Sequence, residues 1–164
     1  MRLISRFIPV LLVISALAGC AMPGTIVPNT TTAGAVLKKL GKPTDTRTAP
    51  QGGEFWEYAY GPMGTETWLF GIDSAQMVRS AEQLLTEERL HRVVPGVTTE
   101  AQVRELLGRP RKITRFREEI AWEWRVALSP NTGLFVVRFG TNGLATGVNV
   151  LIDITGDKDR DRQR

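Results

Sequence analysis

Hydrophobic residues recur at the spacing of one helical face in short segments of the chain. In one of them, Val103 and Leu107 lie one turn apart, just after a Thr99 and Gln102 pair that is typical of a capping box. Gly108 then offers the left-handed backbone that ends a helix, and Pro110 prevents its continuation. The segment therefore predicts a short amphipathic helix.

Apolar and polar residues alternate strictly in two further segments. Residues 56–60 read Trp-Glu-Tyr-Ala-Tyr and residues 122–126 read Trp-Glu-Trp-Arg-Val, so each places large apolar side chains on one face of a strand. Asn142-Gly143, between two apolar runs, is the strongest short signal for a β-hairpin. The pattern predicts antiparallel strands after each helix, with three tryptophans in the core: Trp56, Trp122 and Trp124.

These patterns occur twice in the same order. Segment 28–43 lies 67 residues before segment 95–110, and seven of the 16 aligned positions are identical. Trp56-Glu57 matches Trp122-Glu123 at an offset of 66. Order and spacing recur together, which indicates an internal duplication. The expected fold class is α+β, with two tandem modules, each of short helices packed on a small antiparallel β-meander.

The first residues of the chain read as an export signal. Arg2 and Arg6 precede an apolar stretch of 13 residues, Phe7–Gly19, which is shorter than the ~20 residues that a membrane-spanning helix needs. The stretch ends in Leu-Ala-Gly-Cys20, which resembles the lipobox of bacterial lipoprotein precursors. That resemblance implies cleavage before Cys20 and attachment of a lipid to its sulfur. An ordinary secretory signal and an uncleaved anchor are the alternatives.

The residue after the cysteine bears on the compartment. Ala21 stands where retention in the inner membrane typically needs Asp, so the resemblance implies the outer membrane of a Gram-negative bacterium, with the protein facing the periplasm. The resulting division of the chain is a signal peptide at 1–19, a tether at 20–27, a degenerate module at 28–84, a second module at 85–155 and a charged tail, expected to be disordered, at 156–164.

Composition and charge exclude several classes of protein, site and partner. With 164 residues and 42% hydrophobic residues, the chain is not of the disordered class. One Cys and one His exclude a disulfide framework and a multi-histidine or thiolate-rich metal centre, so neither a metal nor a cofactor is expected. The net charge of +4 falls to +2 once the two signal arginines are removed. This small charge and a periplasmic address argue against a nucleic-acid partner.

A basic stretch is the main candidate for a binding surface. If residues 111–117 are extended, Arg111, Arg115 and Arg117 share one face with a single aliphatic residue among them. A face with three arginines is unsuited to a hydrophobic core, so we expect it to contact a protein partner or anionic lipid headgroups. The alternative is a solvated strand that Glu118 and Glu119 neutralise.

Catalytic chemistry has little support in the sequence. His91 lies in a short amphipathic segment, and no Gly-x-Ser-x-Gly signature accompanies it. A partly exposed structural histidine is the favoured interpretation, and we do not expect an enzyme.

The motifs of residues 85–155 resemble those of the SmpA/OmlA (BamE-like) domain family. The resemblance rests on Gly96-Val-Thr-Thr99, the Leu107-Gly108-Arg-Pro110 stop, Trp122 and the Asn142-Gly143 hairpin. It implies a lipid-anchored scaffold that supports outer-membrane protein assembly or envelope integrity, with the β-barrel assembly machinery or another envelope protein as partner. The duplication departs from the family, which has one module. Tandem modules also resemble the secreted β-lactamase inhibitory proteins, so an inhibitor of a periplasmic hydrolase is the alternative.

Overall fold

Eight strands and three short helices make up the part of the chain that the computed structural model describes, residues 25–61, 64–128 and 131–152. Cys20, the signal peptide and the charged tail lie outside these residues. In chain order the elements are α1 (Ala33–Leu40), β1 (Asp45–Thr48), β2 (Glu54–Tyr60), β3 (Glu66–Ile72), β4 (Val78–Gln83), α2 (Glu87–His91), α3 (Glu100–Leu107), β5 (Lys112–Arg115), β6 (Glu119–Leu128), β7 (Asn131–Gly140) and β8 (Ala145–Ile152).

The strands form two antiparallel meanders of four strands each, in the orders β1-β2-β3-β4 and β5-β6-β7-β8. The predicted fold class, α+β with BamE-like modules, is therefore wrong, because the described chain is mostly β. No helix among the described residues exceeds eight residues, or about two turns. One strand that the pattern did not predict is β1. Its sequence, Asp-Thr-Arg-Thr, has no apolar face, and it joins the sheet by pairing with β2.

The two halves of the structure repeat each other in detail. Thr32 caps α1 and Thr99 caps α3, and the capping box predicted at Thr99 and Gln102 is confirmed. Each cap residue also forms an isolated bridge to the last hairpin of its own sheet, with Met77 and with Leu144. We call residues 26–84 the first repeat and residues 85–152 the second repeat.

In each repeat, an aromatic side chain of the sheet donates a hydrogen bond to the carbonyl group that follows the helix. In the first repeat, the Tyr58 hydroxyl donates to the Gly41 carbonyl at 3.0 Å, and in the second the Trp124 indole donates to the Gly108 carbonyl at 3.3 Å. Both glycines follow directly after their helices, where the last carbonyls have no partner within the helix. Burial raises the pKa of Tyr58 above 10.0, so the phenol remains a neutral donor at neutral pH.

Each repeat has its own hydrophobic core between the helix and one face of the sheet. In the first, Val36 and Phe70 are fully buried beside Trp56; in the second, Val103 and Phe139 are fully buried beside Trp124. The prediction of a buried core position is confirmed for Trp56 and Trp124. Trp122 packs against the same core but is only partly buried, edge-on to Phe139 at 4.9 Å between ring centroids.

The last hairpins of the two repeats differ in the residues that stabilise their turns. In the second repeat the predicted Asn142-Gly143 turn is confirmed between β7 and β8. In the first, Asp73 accepts from the Met77 amide at 2.8 Å and from the Arg79 guanidinium at 2.6 Å. The backbone hydrogen bond from Met77, followed by the bond and the charge of Arg79, lowers the pKa of Asp73 below 3.8.

Replacing Trp124 with Ala is expected to lower the free energy of unfolding by ~3–5 kcal/mol, because the ring is 1% exposed and a cavity would remain in the second core. Trp122→Ala removes the same ring from a half-buried position and should cost clearly less. Urea unfolding of both variants measures the difference. Equal losses would contradict the burial described for the two tryptophans.

Candidate functional site

A buried carboxylate joins the two repeats. Glu57 lies on β2 with only 3% of its surface exposed, on the face of the first sheet opposite its core. Arg104, on α3 of the second repeat, donates to Glu57 Oε2 at 2.8 Å. The second terminal nitrogen of the same guanidinium donates to Asp45 on β1. One arginine of the second repeat thus binds two neighbouring strands of the first.

The end of α3 completes the coordination of this carboxylate. The Arg109 backbone amide donates to Glu57 Oε1, so both carboxylate oxygens accept from the second repeat. Gly108 allows this approach: its φ is +75°, and a Cβ atom built there would lie 2.8 Å from Glu57 Oε1. Burying a carboxylate is costly unless its charge and lone pairs are compensated, and here both are. We call this contact the joint.

The carboxylate at the equivalent position of the second repeat is bound differently. Glu123 lies on β6, and its side chain accepts from Arg111 of its own repeat at 3.2 Å. The Arg111 side chain is 54% exposed, against 23% for that of Arg104. The joint therefore arises from the docking of the repeats and is not a property of each repeat alone.

A groove of about 440 Å³ lies beside the joint. The first repeat contributes polar and acidic lining residues, and the second repeat contributes guanidinium groups over an apolar floor. The lining includes Thr44, Glu57 and Thr67 from the first repeat, and Arg109, Pro110, Arg111, Trp124 and Arg125 from the second. The Arg109 guanidinium also donates to the Thr44 carbonyl at 3.3 Å, which spans the two repeats.

The structure separates the three arginines that the sequence places on one face. Arg111 lies at the groove, whereas Arg115 ends β5 and Arg117 follows it in the turn to β6. Four residues of extended chain put Arg111 and Arg115 about 13 Å apart. The strand ends at Arg115, because Phe116 N–H donates to the Glu119 carbonyl and closes a tight turn. The alternation therefore does not extend to Arg117.

The turn between β5 and β6 exposes an aromatic ring. Phe116 is 56% exposed and is flanked in sequence by Arg115 and Arg117. A shallow cleft of about 260 Å³ beside it is lined by these residues and by three carboxylates: Glu100, Glu118 and Glu119. The charge at this hairpin tip is mixed, so it is less basic than the arginines alone indicate.

His91, the histidine considered for catalysis in the sequence, is exposed at the end of α2. Within residues 25–61, 64–128 and 131–152, no three or more His, Cys, Asp or Glu side chains form a group that could hold a metal ion. No helix in that part of the chain is long and apolar enough to cross a membrane. Sequence reasoning missed the joint, because Glu57 occupies the polar position of an alternating strand and looks like a solvent-facing residue.

Comparison with known proteins adds little. No family model matches the chain, and no curated protein matches it. Among solved structures, a DUF4309 family protein (YjgB) from Bacillus subtilis is 18% identical, with 81% of this chain and 86% of that chain covered and a TM-score of 0.33. An extracellular protein containing a SCP domain, from Bacillus anthracis, is 16% identical, with 79% and 45% covered and a TM-score of 0.29. Similarities this weak carry no argument about function.

Replacing Glu57 with Gln is expected to lower the free energy of unfolding by about 3 kcal/mol, because it removes one charge of a buried ion pair. The matched control is Glu123→Gln at the repeat-equivalent position, where the more exposed pair should contribute less than about 1 kcal/mol. Urea unfolding at neutral pH measures both. If the two substitutions cost the same, Glu57 does not hold the repeats together in the way described.

Proposed function

We propose that the protein is a lipid-anchored binding or scaffold protein of the outer membrane that faces the periplasm and has no enzymatic activity. The observation that carries the proposal is the position of the folded body relative to the lipobox. Ile26, 1% exposed, already belongs to the core of the first repeat, six residues after Cys20. Six residues span at most about 20 Å, so a lipid on Cys20 would keep the body at the membrane surface.

The arrangement of the two repeats supports a scaffold rather than a catalyst. The joint holds the two repeats together through a buried carboxylate, and the surface features that a partner could contact are the groove beside it and the hairpin tip. The motifs of residues 85–155 support a partner in the β-barrel assembly machinery or another envelope protein. That support comes from the motifs alone, since the fold differs from the expected one. Anionic lipid headgroups are a further proposed contact for Arg115 and Arg117.

Substitution of Cys20 with Ala is expected to release the protein from membranes or to leave it as an unprocessed precursor, because the cysteine sulfur is the proposed lipid attachment site. Ala21→Asp is the matched variant: lipidation should persist, and the protein should move to the inner membrane. Fractionation of envelopes and the mass of the mature protein measure both. Unchanged mass and outer-membrane fractionation of Cys20→Ala would disprove the anchor.

One observation favours the second candidate function, an inhibitor of a periplasmic hydrolase. Phe116 is exposed at the tip of a tight hairpin, and exposed aromatic loop residues are what an inhibitor of this kind is expected to display. An exposed aromatic flanked by arginines also has the composition typical of residues at protein interfaces.

The two candidate functions predict different results with a purified β-lactamase. Our proposal predicts that an excess of the protein leaves hydrolysis of a chromogenic substrate unchanged, both for the parent and for Phe116→Ser. Inhibition by the parent that Phe116→Ser abolishes, with melting unaltered in the variant, would replace the scaffold proposal with the inhibitor.

A further inference from the structure

The two repeats share one architecture, but the same face of each sheet has a different environment. In the first sheet, the face opposite the core carries Glu57, Thr67, Leu69 and Leu84, and every one of these residues is 7% exposed or less. The second repeat docks along this face: α3 and Gly108 contact Glu57, and Gly108 also approaches Thr67.

The repeat-equivalent face of the second sheet is not covered in this way. Register pairs Arg125 with Leu134, and Leu134 with Leu151, so these three side chains form a row across β6, β7 and β8. Leu151 at the end of the row is 52% exposed, although its equivalent in the first repeat, Leu84, is 0% exposed. We call this row the open face.

The open face is continuous with the groove at the joint, because Arg125 belongs to both. Arg109 and Arg111 extend the basic character on the groove side. The residues at the equivalent positions of the first repeat are Lys42, Thr44 and Ala59, so only one of the three carries a charge there. The fold can therefore be built without this concentration of guanidinium groups.

The same arginines already bind acceptors from their own chain. Arg111 binds the Glu123 carboxylate, and the Arg109 guanidinium binds the Thr44 carbonyl. Each of these bonds uses one of the five N–H donors of a guanidinium group, so the side chains have the capacity to bind a further carboxylate. Guanidinium groups are also the side chains best matched to a carboxylate in geometry.

We propose that the groove and the open face together bind an extended acidic segment of a partner protein, with a carboxylate at Arg109, Arg111 and Arg125 and an aliphatic side chain over Leu134 and Leu151. This proposal names the chemistry of the partner in the scaffold function above and rests on it. Charge complementarity supports an acidic occupant, and the aliphatic row that continues from the groove across β7 and β8 matches the alternating side chains of an extended segment.

The test uses the purified full-length mature protein in detergent and a fluorescein-labelled peptide of alternating Asp and Leu as the probe. Fluorescence anisotropy should show binding that weakens as salt is raised, because exposed charges are screened within ~10 Å at 0.1 M. A peptide of alternating Lys and Leu should not bind. Equal binding of the two peptides overturns the proposal.

Two variants locate the site. The double variant Arg109→Gln/Arg125→Gln should bind the acidic peptide about tenfold more weakly, in line with the loss of charge-assisted hydrogen bonds. Leu151→Ser, which changes an exposed side chain, should also weaken binding while its melting stays that of the parent. The matched controls are Lys38→Gln/Arg92→Gln and Leu37→Ser, which change exposed residues away from the groove and should bind within about twofold of the parent.

The other occupants are tested with the same proteins. Binding to phosphatidylglycerol vesicles that is lost in Arg109→Gln/Arg125→Gln, without peptide binding, would assign the surface to lipid and overturn the proposal. Self-association in sedimentation that Leu151→Ser abolishes, without peptide binding, would assign it to a second copy. Failure of peptide binding leaves the membrane fractionation of Cys20→Ala unaffected, so the anchor and the acidic partner are tested separately.

Discussion

The buried carboxylate of Glu57 is the constraint that fixes the arrangement of the two repeats. A carboxylate can be removed from water only where opposite charge and hydrogen-bond donors replace the solvent, and every replacement here comes from the second repeat. The end of α3 therefore lies against β2, and the φ of +75° and the nearby Glu57 carboxylate favour glycine at position 108. Asp45 adds a second anchor for Arg104 on β1. The groove lies beside this contact, and both repeats line it.

Duplication followed by divergence accounts for the different chemistry of the two sheets. Backbone features survive in both copies: the helix caps, the bridges to the last hairpin, and the irregular pairing after Gly71 and after Arg138. On the face opposite the core, some side chains are the same in both copies, such as Glu57 and Glu123, and others differ. The first copy carries Thr67 where the second carries Leu134, and Ala59 where the second carries Arg125. Of the two small residues in the first copy, Thr67 is buried and Ala59 is exposed.

The sequence predicts a helix cap, a turn or a strand correctly where a short pattern of residues has one physical cause. The Thr99 capping box, the Asn142-Gly143 turn and the alternation around Trp124 all appear in the structure as expected. The fold class was not predicted, because the polar strand β1 lacks a pattern and the helices stop after two turns. The joint was not predicted either, since alternation assigns Glu57 to solvent and only the packing of a second unit buries it. The same reasoning placed Arg117 on one face with Arg111 and Arg115, but the turn that begins at Phe116 separates Arg117 from the strand.

The connection between the repeats has a consequence for the order in which the chain reaches its native packing. The Leu84 backbone amide donates a hydrogen bond to the Thr67 carbonyl of the first sheet. The next residue, Leu85, packs in the core of the second repeat. The last contact of the first sheet and the first contact of the second core thus fall on adjacent residues. Glu57 of the first repeat accepts from Arg104 and from the Arg109 amide, both of which follow it in the chain by about fifty residues. The N-terminal repeat therefore completes the compensation of its buried carboxylate only when the C-terminal repeat has folded against it.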